Sequence, residues 1–130
     1  MTNPTGKLIF LMEDEEDIAR LIGHVLEESG FLVHRPDRSS SLVRDAEKYQ
    51  PEVFILDLML PEIDGFQLCR SIREHKSLKK IPILILTART ESADRKRALE
   101  SGADVYMTKP FKSSELIAAV QTLRGRSTSI

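Results

Sequence analysis

Apolar residues fall along this chain in two alternating rhythms. Short unbroken runs such as Leu8–Met12 and Val53–Leu56 are of strand length and rich in large or β-branched aliphatic side chains, as expected of strands covered on both faces. Between them, Ile18, Leu21, Ile22, Val25 and Leu26 recur at offsets that put five apolar side chains on one helical face. Gly30 then marks the end of that helix. The rhythm predicts a strand over 7–12, a helix to Ser29, a strand over 31–35, and a helix carrying Leu42, Val43, Ala46 and Tyr49 that Pro51 closes.

A third strand over 53–57 leads through a loop with Pro61 and Asp64-Gly65 into a helix that turns Phe66, Cys69 and Ile72 inward, with Asp64 as its N-cap. The fourth strand covers 83–86. A polar helix over 91–101 follows, with Arg95-Lys96-Arg97 at its middle and Gly102 at its end. Its apolar face is thin, which predicts a loosely held element. A fifth strand over 104–107 precedes a last helix with Ser113 as its cap and Leu116, Val120 and Leu123 inward, and the residues from Gly125 to Ile130 read as a frayed tail. Five strands alternating with five helices imply right-handed crossovers and a parallel sheet covered on both faces. The fold class is a doubly wound α/β domain, (βα)5.

At 130 residues the chain has room for one core and no second folded unit. The expected domain is 1–130 with its core at about 7–124 and no effector domain. Nineteen Lys+Arg against twenty Asp+Glu leave a formal net charge of -1, so no global positive field collects nucleic acid or an anionic membrane. Cys69 is the only cysteine, which excludes an internal disulfide and a CxxC metal pair and agrees with a reducing compartment. The N-terminus from Met1 to Gly6 is short and polar, and no apolar run approaches membrane-helix length. A cytoplasmic location is expected.

The polar residues carry the function. The first strand ends in Glu13-Asp14, the third in Asp57, the fourth in Thr87, and the fifth is followed by Lys109. Ligands of open parallel sheets sit beyond the carboxyl ends of the strands, so these five side chains are expected to converge on one crevice. Three carboxylates that close repel unless a cation neutralises them. Magnesium suits an all-oxygen site of carboxylates, a carbonyl and waters, and Glu13 and Asp14 would bind it directly or through water. Mn2+ could substitute. Asp57 closes a buried run, so its backbone is fixed while its carboxylate faces the crevice, where it can act as a nucleophile toward phosphorus. The Lys109 ammonium and Thr87 hydroxyl would stabilise the equatorial oxygens.

At FLMEDEEDI, ILDLMLPEIDGF, ILTAR and GADVYMTKPF the chain closely resembles the receiver domains of bacterial two-component response regulators, from about Lys7 to Leu123. The resemblance implies the flavodoxin-like strand order 2-1-3-4-5. It implies Asp57 as phosphoacceptor, magnesium on Asp14, Asp57 and the Met59 backbone carbonyl with Glu13 assisting through water, and Lys109 paired with the phosphate, its bond to Pro110 being cis. Thr87 and Tyr106 would be the switch pair, Thr87 turning to the phosphate and Tyr106 moving inward to alter the surface of the fourth helix, fifth strand and fifth helix. The donor would be a histidine kinase or phosphotransfer protein, and the output a downstream protein or fused effector. Nothing points to direct nucleic-acid or membrane binding. Receivers that drive winged-helix partners pair charges across that last surface, and here two of those positions are Val105 and Ala119, which favours a monomer or a weak phosphorylation-dependent dimer.

Other readings are weaker. Aspartyl-nucleophile phosphatases need a second carboxylate two residues after the first, and Met59 stands there, so the chain is not expected to turn over an external substrate. An adaptor that binds partners independently of phosphorylation is the alternative, but it has no use for Asp14, Asp57, Thr87 and Lys109 together. His24, His34 and His75 lack ligand spacing and read as surface or packing residues. Cys69 reads as a small buried hydrophobe, and Arg95-Lys96-Arg97 as a solvated face.

Overall fold

The computed structural model describes residues 7–125. The segment from Met1 to Gly6 and the tail after Gly125 lie outside the described residues. The elements alternate as β1 (Leu8–Met12), α1 (Glu16–Glu28), β2 (Leu32–His34), α2 (Ser39–Tyr49), β3 (Val53–Leu56), α3 (Gly65–Glu74), β4 (Ile83–Thr87), α4 (Ser92–Glu100), β5 (Val105–Thr108) and α5 (Ser113–Arg124). All strand pairs are parallel, in the order β2-β1-β3-β4-β5. The doubly wound α/β reading and its 2-1-3-4-5 order therefore hold.

Strand side chains alternate between the two faces of the sheet. Phe10, Met12, Phe54, Leu56, Ile83 and Ile85 join Leu42, Phe66, Cys69, Ile72 and Ala98 in one core under α2, α3 and α4. Ile9, Leu11, Val53, Ile55, Leu84 and Leu86 join Ala19, Ile22, Leu26, Leu116, Val120 and Leu123 in the other, under α1 and α5. β3 and β4 are buried throughout, and β1 from Ile9 to Met12. At the edge, β2 leaves Leu32 exposed, because an edge strand has a neighbour on one side only.

Local chemistry sets the element ends. Asp64 caps α3, its Oδ1 accepting the Phe66 amide at 2.9 Å. Gly30 and Gly102 take φ of +92° and +115° just after α1 and α4, a conformation glycine adopts without steric cost. Gln50 ends α2 in the left-handed region before Pro51.

Three expectations need correction. Ser113 is the first residue of α5 and Lys112 holds the cap position with no side-chain bond. Leu21 is 48% exposed; α1 buries Ala19, Ile22 and Leu26 instead, because the true inward stripe is narrower than five residues. Arg95 and Arg97 are not merely solvated: Arg95 lies over the Tyr106 ring at 5.3 Å and Arg97 over Phe66 at 4.0 Å. Small boundary shifts accompany these, β2 being shorter than 31–35 and Asp57 lying one residue past β3.

A half-buried guanidinium ties the end of α3 to the segments that enter β4 and β5. Arg73 donates to the carbonyls of Lys79, Ile81 and Gly102 and pairs with Asp104 at 2.8 Å. Asp104 in turn accepts the Ile83 amide at 2.9 Å, fixing the start of β4. Val105 and Ala119 are half-buried against the α1 and α5 core. Among the described residues no helix is long and apolar enough to cross a membrane.

Candidate functional site

Strand register assembles the site. β1 and β3 pair Met12 with Leu56, so Glu13 and Asp57 leave the sheet side by side, and the Asp57 amide closes the ladder on the Met12 carbonyl at 3.1 Å. β4 and β5 pair Thr87 with Thr108, so Lys109 follows directly. Its amide bonds the Thr87 carbonyl at 2.8 Å. Four segments distant in sequence thus meet on one rim, as the crevice rule for parallel sheets requires.

Glu13, Asp14 and Asp57 each turn a carboxylate oxygen into a group spanning no more than 4.8 Å. Glu13 and Asp57 are buried, at 7% and 4% exposure, whereas Asp14 faces solvent. The Lys109 ammonium lies between the two buried acids, 2.5 Å from Glu13 Oε1 and 2.9 Å from Asp57 Oδ2. Backbone amides hold the carboxylates from below: Glu15 donates to Glu13 Oε2 and Met59 to Asp57 Oδ1, each at 3.0 Å.

Burial pushes the Glu13 carboxyl above its ordinary range, against the opposing pull of Lys109 and the Glu15 amide. Burial also works against the Lys109 charge, but its hydrogen bonds to Glu13 and Asp57 prevail and hold the ammonium above its usual value. Three carboxylates facing one ammonium leave excess negative charge at the rim. That donor set is all hard oxygen, partly open to water through Asp14, and chemically fits a divalent magnesium ion better than a soft metal.

Thr87 is fully buried and its Oγ1 accepts the Arg89 amide at 3.4 Å. Tyr106 already lies inward at 6% exposure, its hydroxyl donating to the Arg89 carbonyl at 2.9 Å. Tyr106 thus occupies an inward position in this structure. Burial pushes the Tyr106 phenol up. Met59 is exposed and pairs as an isolated bridge with Asp64. The Lys109–Pro110 peptide is cis.

The remaining candidates sit apart from the rim. His24 pairs with Glu28, His34 with Asp45 and His75 with Glu47. Cys69 is buried in the core under α3. Sequence reasoning missed Arg73, Asp104 and the ring contacts of Arg95 and Arg97; the Asp of GADVY had no local pattern to mark it as the partner of an arginine 31 positions earlier.

Comparison with known proteins agrees with this geometry. Residues 9–121 match the family model described as the response regulator receiver domain. The chain is 40% identical over 122 residues to the alkaline phosphatase synthesis transcriptional regulatory protein PhoP of Bacillus subtilis, covering 94% of this chain and 50% of that protein. It spans about half the length of the curated relatives it matches. Among solved structures, a response regulator from Chloroflexus aurantiacus superposes with a TM-score of 0.87 at 32% identity, covering 92% of this chain and 98% of that one. The receiver domain of sensor histidine kinase PA1611 from Pseudomonas aeruginosa, with magnesium in its active site cleft, gives a TM-score of 0.84 at 32% identity and the same coverage. With its sheet order, its rim of acids and a matching family model over most of its length, the chain belongs to the response regulator receiver domain family, a family of signalling switches.

Proposed function

We propose that this domain is switched by phosphorylation of Asp57, with magnesium held by Glu13, Asp14, Asp57 and the Met59 backbone carbonyl. The observation that carries the reading is the Lys109 ammonium 2.9 Å from Asp57 inside a carboxylate cluster. An acid at a strand end with a fixed cation beside it is arranged to receive a group whose charge the cation then meets.

In the reaction, an Asp57 oxygen forms a bond to phosphorus as the phosphorus–nitrogen bond of a donor phosphohistidine breaks. The electron pair leaves on the imidazole, which takes a proton, and Asp57 becomes an acyl phosphate. Met59 and Lys109 hold the carboxylate in place through the bonds described above. Lys109 meets the phosphoryl charge. Bound magnesium supplies charge neutralisation at the phosphoryl oxygens. The Thr87 hydroxyl gives up the Arg89 amide and turns to the phosphoryl group. Tyr106 keeps its inward place while the α4, β5 and α5 surface changes.

The donor is a histidine kinase or a phosphotransfer protein, and the setting is the cytoplasm. The residues at 7–124 form the receiver unit, and the altered surface acts on a downstream protein or on a further module of the parent protein. The domain turns over no external substrate. The test is intact-mass measurement after incubation with acetyl phosphate and magnesium: one phosphoryl adduct on the native chain, none on Asp57→Asn. A native chain without adduct, or an adduct that persists in Asp57→Asn, defeats the assignment.

A further inference from the structure

The helix α4 meets the body through Ala98 and through arginine side chains. Across Ser92–Glu100 only Ala98 is buried, and Leu99 is 45% exposed. Arg95 covers the Tyr106 ring and donates to the Tyr106 carbonyl at 3.3 Å. Arg89, ahead of the helix, pairs with Asp94 at 3.3 Å. Both contacts lead to the Thr87 and Tyr106 side of the domain.

Arg97 leads elsewhere. Its guanidinium lies 4.0 Å from the Phe66 ring centre and 3.4 Å from Asp64 Oδ2. Asp64 ends the loop that leaves Asp57, pairs as a bridge with Met59, and caps α3 with its other oxygen. The Met59 amide rests on Asp57 Oδ1 at 3.0 Å. Asp57, Met59, Asp64 and Arg97 thus form an unbroken run of contacts from the buried acid to the middle of α4. An exposed ion pair is ordinarily too mobile to transmit much. Here the ring face fixes the arginine and the helix cap fixes the carboxylate, so the pair has a defined geometry.

We infer that Arg97, through its pair with Asp64, is a positioning residue that couples α4 to the state of Asp57 by a route separate from Thr87 and Tyr106. The inference rests on the reading of Asp57 as the phosphoacceptor. Conversion of the Asp57 carboxylate into an acyl phosphate changes the acceptor under the Met59 amide. The loop ending at Asp64 feels that change directly. A helix with so small an apolar face is the element able to take two positions, which coupling between sites requires.

The test is hydrogen exchange of the α4 amides, with and without acetyl phosphate and magnesium, with the adduct measured by intact mass in every sample. The native chain, Arg97→Ala, Arg97→Lys, Asp64→Asn, Thr87→Ala and the double variant Thr87→Ala with Arg97→Ala are compared; Asn at position 64 retains the capping oxygen. Arg97→Ala and Asp64→Asn are expected to take the phosphoryl group yet lose about two-thirds or more of the phosphorylation-dependent change in α4 exchange. Arg97→Lys keeps the charge but not the planar contact with the Phe66 ring, and should restore the response only in part. Thr87→Ala should leave a residual response that the double variant lacks. An adduct with an undiminished α4 response in Arg97→Ala, or a response already absent in Thr87→Ala alone, overturns the second route. A native chain that takes no phosphoryl group overturns the phosphoacceptor reading and this inference with it, so the two failures are told apart by mass.

Discussion

The Lys109 ammonium lies 2.9 Å from Asp57 although 52 residues separate them, and it reaches there because β5 ends beside β4 at the level of Thr87. Its side chain is 12% exposed, and those of Glu13 and Asp57 are 2% and 5%. Removing one partner of so buried a group leaves uncompensated charge. Lys109→Ala should therefore lose about 3–5 kcal/mol without divalent cation. Magnesium should return part of that loss, because it meets the same carboxylates. Urea unfolding with chelator and with millimolar magnesium checks both statements; equal stability of native and variant in chelator would contradict the first.

Gly65 controls the same site through space alone. A Cβ there would lie 2.6 Å from the Leu58 Cα and 2.9 Å from the Asp57 carbonyl, both backbone atoms. The loop after Asp57 would have to move. Gly65→Ala should cost about 1–3 kcal/mol and weaken magnesium affinity, since Asp57 and Met59 sit on the displaced segment. Calorimetric titration with magnesium reads the second effect; native affinity in a destabilised variant would show that the loop shifts without disturbing the acids.

Much of this was legible in the sequence because it follows from short-range pattern. Apolar runs named the strands, and acids placed at their ends named the rim, since strands in a parallel sheet all end on the same side. The capping role of Asp64 was equally local. What escaped was contact between distant polar residues. Nothing near Arg95 or Arg97 distinguishes an arginine laid on an aromatic ring from one in water, and Leu21 differs from Ile22 only by one step around a helix. Tyr106 is an expected switch residue on the family resemblance alone, and its hydrogen bond to the Arg89 carbonyl is a contact that periodicity does not reveal.

Arg73 and Gly102 form a second long-range dependence. Arg73→Ala removes a donor from three carbonyls and the guanidinium partner of Asp104, so a loss of about 2–3 kcal/mol is expected. Gly102→Ala meets two obstacles, a φ of +115° and collision of the new Cβ with the Arg73 Cγ, and should cost about 1–3 kcal/mol. The double variant removes the collision but not the strain. Its loss should therefore be smaller than the two single losses combined. Chemical denaturation of the four proteins settles the comparison, and strict additivity would mean that Arg73 bends away from the added methyl at no cost.

Cys69 gives a prediction in pH. The thiol is fully buried on the inner face of α3, and burial pushes it up to about 12 against the weaker pull of Arg73 and Arg70. An unfolded cysteine ionises at about 8.5. Because the folded value is the higher one, the neutral thiol's contribution to stability is complete below the unfolded value and is lost as pH rises through the folded one. Between these limits the unfolded chain releases a proton that the folded chain keeps, so stability falls with rising pH. The Cys69→Ala variant, lacking this group, should show a shallower decline over the same range. Labelling with a thiol reagent at about pH 8 should proceed only as fast as the protein opens, because the thiolate is the reactive form. Adding urea should accelerate it in step with unfolding followed by circular dichroism. Complete labelling of the folded protein at the rate of a free thiol would show that the α3 face opens to solvent far more readily than its packing implies.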